Sequence, residues 1–122
     1  MPREQVIQQQ IRLDIGINPN VRLFRNNTGQ ATDQRTGNFI RYGLAVGSSD
    51  LIGIRKVTIT PDMVGQTIGV FASLEVKTDT GKPSTDQKKW LSMVTAFGGI
   101  AGVVRSPQDA RRLLQLPQIG AG

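Results

Sequence analysis

The stretch FASLEVKTDTGK, residues 71–82, decides how the rest of the chain is read. It starts as a β-strand and is broken by Thr78-Asp79-Thr80-Gly81. Inside the strand a carboxylate and an ammonium stand two positions apart, and Glu75 is one of two glutamates in 122 residues. Side chains of a strand alternate between faces, so Val70, Ala72, Leu74 and Val76 share one side while Phe71, Ser73, Glu75 and Lys77 share the other. Glu75 and Lys77 therefore point the same way, roughly 7 Å apart along the strand. An ion pair on the solvent face of a sheet has the same pattern and is worth under about 1 kcal/mol. The surrounding sequence has to choose between the two readings.

Working outward, DLIGIRKVTIT (50–60) is a β-branched run that ends at Pro61, and IGVFASLEVKT (68–78) is the strand just described. The seven-residue connection PDMVGQT predicts that the two pair antiparallel as a meander. Further upstream, VRLFRNN (21–27) reads as a strand, and PREQVIQQQIRLDIG reads as a first helix. Pro2 suits that helix's first turn, and Val6, Ile7, Ile11 and Leu13 give it an apolar side. Residues 28–49, TGQATDQRTGNFIRYGLAVGSS, form a long Gly/Thr/Ser/Asn-rich loop in which a small hairpin turns at Thr36-Gly37-Asn38.

Downstream, Ser84 starts a helix running to Phe97, where Gly98-Gly99 stops it, and IAGVVRS is a short buried strand. Ser106 caps a last helix opened by Pro107. Trp90, Phe97, Leu113 and Leu114 are expected in the core. The order helix, three strands, helix, strand, helix is an α/β fold with one mixed sheet flanked by helices. We expect a single domain over 1–116 and a disordered tail over 117–122.

Composition narrows the function. With no cysteine, disulfides, thiolate metal sites and thiol nucleophiles are excluded. With no histidine, the commonest general base and transition-metal ligand are missing, so a metal here is held by oxygen and is a hard ion, magnesium or manganese. The formal charge of +6 points to a polyanionic partner. No apolar run approaches the roughly 20 residues that cross a bilayer, and the opening PREQVIQQQ is not a signal peptide, so a cytoplasmic protein is expected.

Asp50 adds to the Glu75/Lys77 pair. It follows the flexible Gly47-Ser48-Ser49, and in the expected meander the start of its strand lies beside Glu75. Two carboxylates with a lysine alongside form an oxygen-ligand pocket for a divalent ion, to which the Val76 carbonyl can add an oxygen. Such an ion lowers the pKa of a bound water and holds a phosphate, while Lys77 orients or deprotonates that water.

Asp50, then Glu75-Val76-Lys77, then a helix carrying Gln87 resembles the PD-(D/E)xK nuclease superfamily, with its restriction-endonuclease-like αβββαβα core. More specifically, RNNTG (25–29), GLAVGSSDLIGI (43–54), LEVKTDTGKPSTDQKKWL (74–91) and VVRSPQDARRLL (103–114) are similar to the VRR-NUC family in its short, stand-alone phage and bacterial form. The resemblance covers nearly the whole chain. It implies that Asp50 and Glu75 are metal ligands, Lys77 the catalytic lysine, Gln87 an active-site support and Glu4 a further acid reaching the metal region. Ser49 precedes Asp50 where the superfamily's name has proline, a position that varies widely.

The resemblance further implies a Mg2+- or Mn2+-dependent, structure-selective DNA endonuclease, a homodimer acting on four-way (Holliday) junctions without a small-molecule cofactor. The alternatives are a flap or single-strand nuclease of the same chemistry, or a basic DNA-binding module that does not cleave. Lys88 and Lys89 on the helix and Arg25, Arg41 and Lys82 on loops are candidate phosphate contacts or, equally, solvated surface charges. Asn26 and Asn27 are turn residues or groups that approach the nucleic-acid backbone, and Asn26 is counted among the candidate contacts. Gln87 also fits a capping box with Ser84, and Glu4 is favoured in a first helical turn without any function. The loop 28–49 and the apolar positions of the first helix are candidate dimer surfaces.

Overall fold

A computed structural model of the chain describes residues 3–117. Helix α1 (Glu4–Gly16) follows the apolar periodicity of its sequence, with Glu4 in the first turn, where the helix dipole favours a negative charge. Pro2 lies outside the described residues. The chain leaves α1 through a turn in which the Asn18 carboxamide oxygen accepts the N–H of Asn20 at 2.9 Å, and then enters strand β1 (Val21–Arg25). A hairpin follows, β2 (Gly29–Thr32) and β3 (Phe39–Tyr42), turning through 33–38 with Gly37 at φ 73°. Its turn at Thr36-Gly37-Asn38 is the one predicted within the long loop.

Strand β4 (Leu51–Arg55) pairs antiparallel with β1, in a register running from Val21 opposite Arg55 to Arg25 opposite Leu51. A Cβ at Gly53 would run into the Arg22 carbonyl, so glycine there lets the two strands approach. These elements make up one compact unit, Met1–Arg55.

The second unit, Lys56–Gly122, opens with a 3-10 turn at Pro61–Met63. It then contains strand β5 (Ala72–Val76), helix α2 (Thr85–Ala96), strand β6 (Ile100–Val104) and helix α3 (Pro107–Leu113). Strands β5 and β6 run parallel, from Ala72 beside Ile100 to Val76 beside Val104. Parallel neighbours need a crossover rather than a tight turn, and α2 supplies it. The Ser84 hydroxyl caps α2 by accepting the Gln87 N–H at 3.1 Å, and Ser106 caps α3 by accepting the Asp109 N–H at 3.1 Å. Gly98 at φ 90° ends α2 in the left-handed conformation that glycine tolerates best.

The fold is therefore mixed α/β with three helices, but among the described residues its strands form three two-stranded sheets and not the single mixed sheet predicted. The predicted meander of 50–60 with 68–78 is also corrected, since β4 takes β1 as partner and β5 takes β6. The buried apolar residues among those described are Ile54 in the first unit and Val94 and Val104 in the second. Phe97, Leu113 and Leu114, expected in the core, are half-buried, and Trp90 lies at 36% exposure. Of the tail expected from 117 onward, Pro117 is described, its carbonyl accepting from Arg111 Nη1 at 2.7 Å, and 118–122 lie outside the described residues.

Candidate functional site

Strand β5 presents its two faces unequally. Phe71, Ser73, Glu75 and Lys77 are half-buried, whereas on the other face Leu74 is half-buried, Ala72 is exposed, Val70 is 48% and Val76 71% exposed. The polar side is the one that α2 covers. The Trp90 indole Nε1 donates to Ser73 Oγ at 2.8 Å, and the Trp90 ring meets Phe71 edge to face at 6.5 Å between centroids. Beside this contact lies a cavity of about 300 Å3, lined by Ser73, Leu74 and Glu75 from the strand and by Asp86, Gln87, Trp90 and Leu91 from the helix. Glu75 and Gln87, predicted to act together, thus border one space.

Gln87 holds its place through the capping box. Its Oε1 accepts the Ser84 N–H at 2.8 Å while its own N–H donates to Ser84 Oγ at 3.1 Å. With Oε1 engaged in that way, the amide cannot be flipped, and Nε2 is the group left as a donor. The structural role of Gln87 and a place beside Glu75 are therefore compatible.

Lys77 continues the strand by donating its N–H to the Val104 carbonyl at 3.1 Å. The turn after it is clamped by Arg105, whose Nη1 donates to the Thr78 carbonyl and, at 2.7 Å, to the Gly81 carbonyl. Lys82, Lys88 and Lys89 are exposed. Ser73, Asp86 and Trp90 were not singled out as site residues from the sequence. Ser73 shares the alternation of Glu75, which was a usable signal, whereas Asp86 reads as a helix-start acid and Trp90 as core.

The first unit carries the remaining predicted residues. Asp50 is exposed immediately before β4, and its carbonyl accepts the Asn26 N–H at 2.8 Å, one step beyond the β1–β4 ladder. Arg25, Arg41 and Glu4 are exposed. Asn26 is 8% exposed, and its carboxamide is bonded to the loop before Asp50.

Among the described residues no three acidic side chains gather into a group within either unit. The donors at the predicted ligand positions Glu4, Asp50, Glu75 and Val76 are carboxylates and a carbonyl, and the chain has neither histidine nor cysteine. Such a set fits a hard ion and does not fit a soft one.

The pairing of Glu75 and Lys77 on the covered face of β5, followed by the capped helix with Gln87, coincides with a family-level match. The model of the VRR-NUC domain matches residues 4–108. The chain belongs to the VRR-NUC family. The matched span runs from the first residue of α1 into α3 and includes every acid, lysine and glutamine considered above. A VRR-NUC domain is a nuclease, so the protein is a hydrolase with DNA as its substrate. Neither the curated proteins nor the solved structures yielded a match. Among the described residues no helix of the VRR-NUC domain is long and apolar enough to cross a membrane.

Proposed function

We propose that this VRR-NUC domain is a magnesium- or manganese-dependent endonuclease of the PD-(D/E)xK type that cuts branched DNA, with the four-way junction as its substrate and a homodimer as its working form. The observation that carries the reading is the half-buried Glu75–Lys77 face of β5, bordered by the cavity where Gln87 is held. Asp50 and Glu75, with Glu4 and the Val76 carbonyl, would hold the ion. Their oxygen chemistry suits magnesium or manganese, which when bound supplies positive charge for the scissile phosphate and acidifies a water.

The chain's own groups do the rest. Lys77 orients the attacking water and offsets the negative charge that builds on the phosphate oxygens as the water oxygen bonds to phosphorus and the bond to the leaving sugar oxygen breaks. The Nε2 of Gln87 donates a hydrogen bond at the edge of the cavity. Exposed Arg25, Arg41, Lys82, Lys88 and Lys89 meet phosphates away from the cut and contribute the salt-dependent part of binding.

A two-fold dimer brings two sites to two opposed strands, which suits symmetric cutting of a junction. A binding module that does not cleave would have no use for carboxylates that repel phosphate. The test is cleavage of labelled four-way junction, flap, duplex and single-stranded DNA with magnesium or manganese, by wild type, Glu75→Ala and Lys77→Ala. Paired nicks in the junction that need the ion and vanish in both variants are expected. Preferential cutting of the flap or single strand would replace the substrate assignment, and tight junction binding without cutting would replace the catalytic one.

A further inference from the structure

Asn26 is the buried polar side chain among the described residues, and both polar groups of its carboxamide are engaged. Nδ2 donates to Ser48 Oγ at 2.7 Å and to the Ser49 carbonyl at 2.9 Å, and Oδ1 accepts the Leu44 N–H at 3.1 Å. The main-chain N–H of the same residue donates to the Asp50 carbonyl at 2.8 Å. One residue at the end of β1 therefore grips the segment 44–50 at its start and at its finish.

These partners are 18, 22 and 23 residues away for the side chain alone, so the amide fastens the stretch that follows the β2–β3 hairpin back onto the end of β1. Gly43, at the loop's entry, has φ 85°, and a Cβ there would meet the Asn27 carbonyl oxygen at 2.5 Å. The path of the chain into the clamp is thus set by backbone conformation, and its exit by Asn26. The direction of the Asp50 side chain follows from the peptide planes on either side of it. Those are the planes whose carbonyls, Ser49 and Asp50, Asn26 holds. The Asp50 carboxylate has no hydrogen-bond partner of its own among the described residues, so its orientation depends on the main chain.

We infer that Asn26 is the positioning residue for Asp50: its amide locks the loop 44–49 and thereby aims the exposed carboxylate, without touching DNA. The inference rests on the reading of Asp50 as an ion ligand. Groups that orient a ligand typically change metal affinity by about 10- to 100-fold when removed.

The experiment measures Mn2+ affinity of the DNA-free protein by the electron paramagnetic resonance of free manganese, junction affinity in EDTA, and amide exchange at Leu44, for wild type, Asn26→Ala, Ser48→Ala and Asp50→Ala. Asn26→Ala is expected to weaken Mn2+ binding by about tenfold or more, to leave junction affinity within about twofold, and to speed exchange at Leu44. Ser48→Ala, which deletes one partner from the opposite side, is expected to reproduce a smaller part of the loss, and serves in place of Asn26→Ala if that variant does not fold. A fall in Mn2+ affinity with Asp50→Ala but not with Asn26→Ala or Ser48→Ala overturns the positioning role and leaves the nuclease reading intact. Unchanged Mn2+ affinity in Asp50→Ala overturns the ligand assignment on which both stand. A loss of junction affinity in Asn26→Ala, with Mn2+ affinity kept, would make Asn26 a DNA contact instead.

Discussion

Gln87 has a structural duty and a proposed catalytic one, and substitution with glutamate separates them. The glutamate keeps an oxygen able to accept the Ser84 N–H that Oε1 of Gln87 accepts at 2.8 Å. A charge in the first helical turn adds roughly 0.3–1 kcal/mol of helix stability. Glu75 and Asp86 line the same cavity and oppose that gain by like-charge repulsion, so thermal stability should change little in Gln87→Glu.

Gln87→Ala loses the bond outright, at about 1 kcal/mol, of which alanine's helix propensity returns a few tenths. A loss of that size lowers the melting temperature of a domain this long by about 2–5 °C. Both variants lack the Nε2 donor. In junction cleavage with magnesium at saturating DNA, the rate should fall about tenfold or more in both, although only Gln87→Ala is less stable. Wild-type cleavage by Gln87→Glu would refute the donor role and reduce Gln87 to a cap. A clearly lowered melting temperature for Gln87→Glu would contradict the capping geometry itself.

Trp90→Phe and Ser73→Ala should each cost about 1 kcal/mol, and in a double-mutant cycle by urea unfolding the second change should cost much less once the first is made, because both remove the same hydrogen bond. Gly43→Ala places a side chain at φ 85° against main chain and should destabilise by roughly 1–3 kcal/mol, read as faster amide exchange at Leu44 and a lower melting temperature. Lys88→Ala with Lys89→Ala should flatten the slope of log junction affinity against log salt by about one to two, measured by fluorescence anisotropy in EDTA, and an unchanged slope would make these lysines solvated surface.

The turns, caps and helices were legible because their causes are local. Ser84 and Gln87 are three residues apart and form the capping box wherever α2 is placed. The same holds for Ser106 before Pro107, and for Gly37, whose left-handed backbone closes the hairpin between Thr32 and Phe39. The E-x-K alternation also needs nothing beyond the pleat of a strand, and the family's motifs are contiguous enough to be met by reading along the chain.

Strand partnership was a different matter. Residues 50–60 and 68–78 are both β-branched, and a short connection made their pairing the simplest reading, yet β4 lies against β1 some thirty positions earlier in the chain, as Val21 opposite Arg55 records. A ladder's hydrogen bonds are made by main chain that every residue possesses, so sequence says where a strand can form and little about which strand it will face. The covered side of β5 follows from α2 meeting Ser73 through Trp90 while Val70 and Val76 on the other side stay exposed, a choice that alternation alone leaves even.

Asn26 marks the boundary between the two kinds of knowledge. In the sequence it is an amide near a basic strand end, equally suited to a turn or a phosphate. By itself the sequence determined the family and supplied the residues proposed for its site, because these depend on which side chains exist and how they are spaced. Only the tertiary structure decided that Asn26 closes on Leu44, Ser48 and Ser49, because a hydrogen bond across some twenty residues depends on where the folded chain returns.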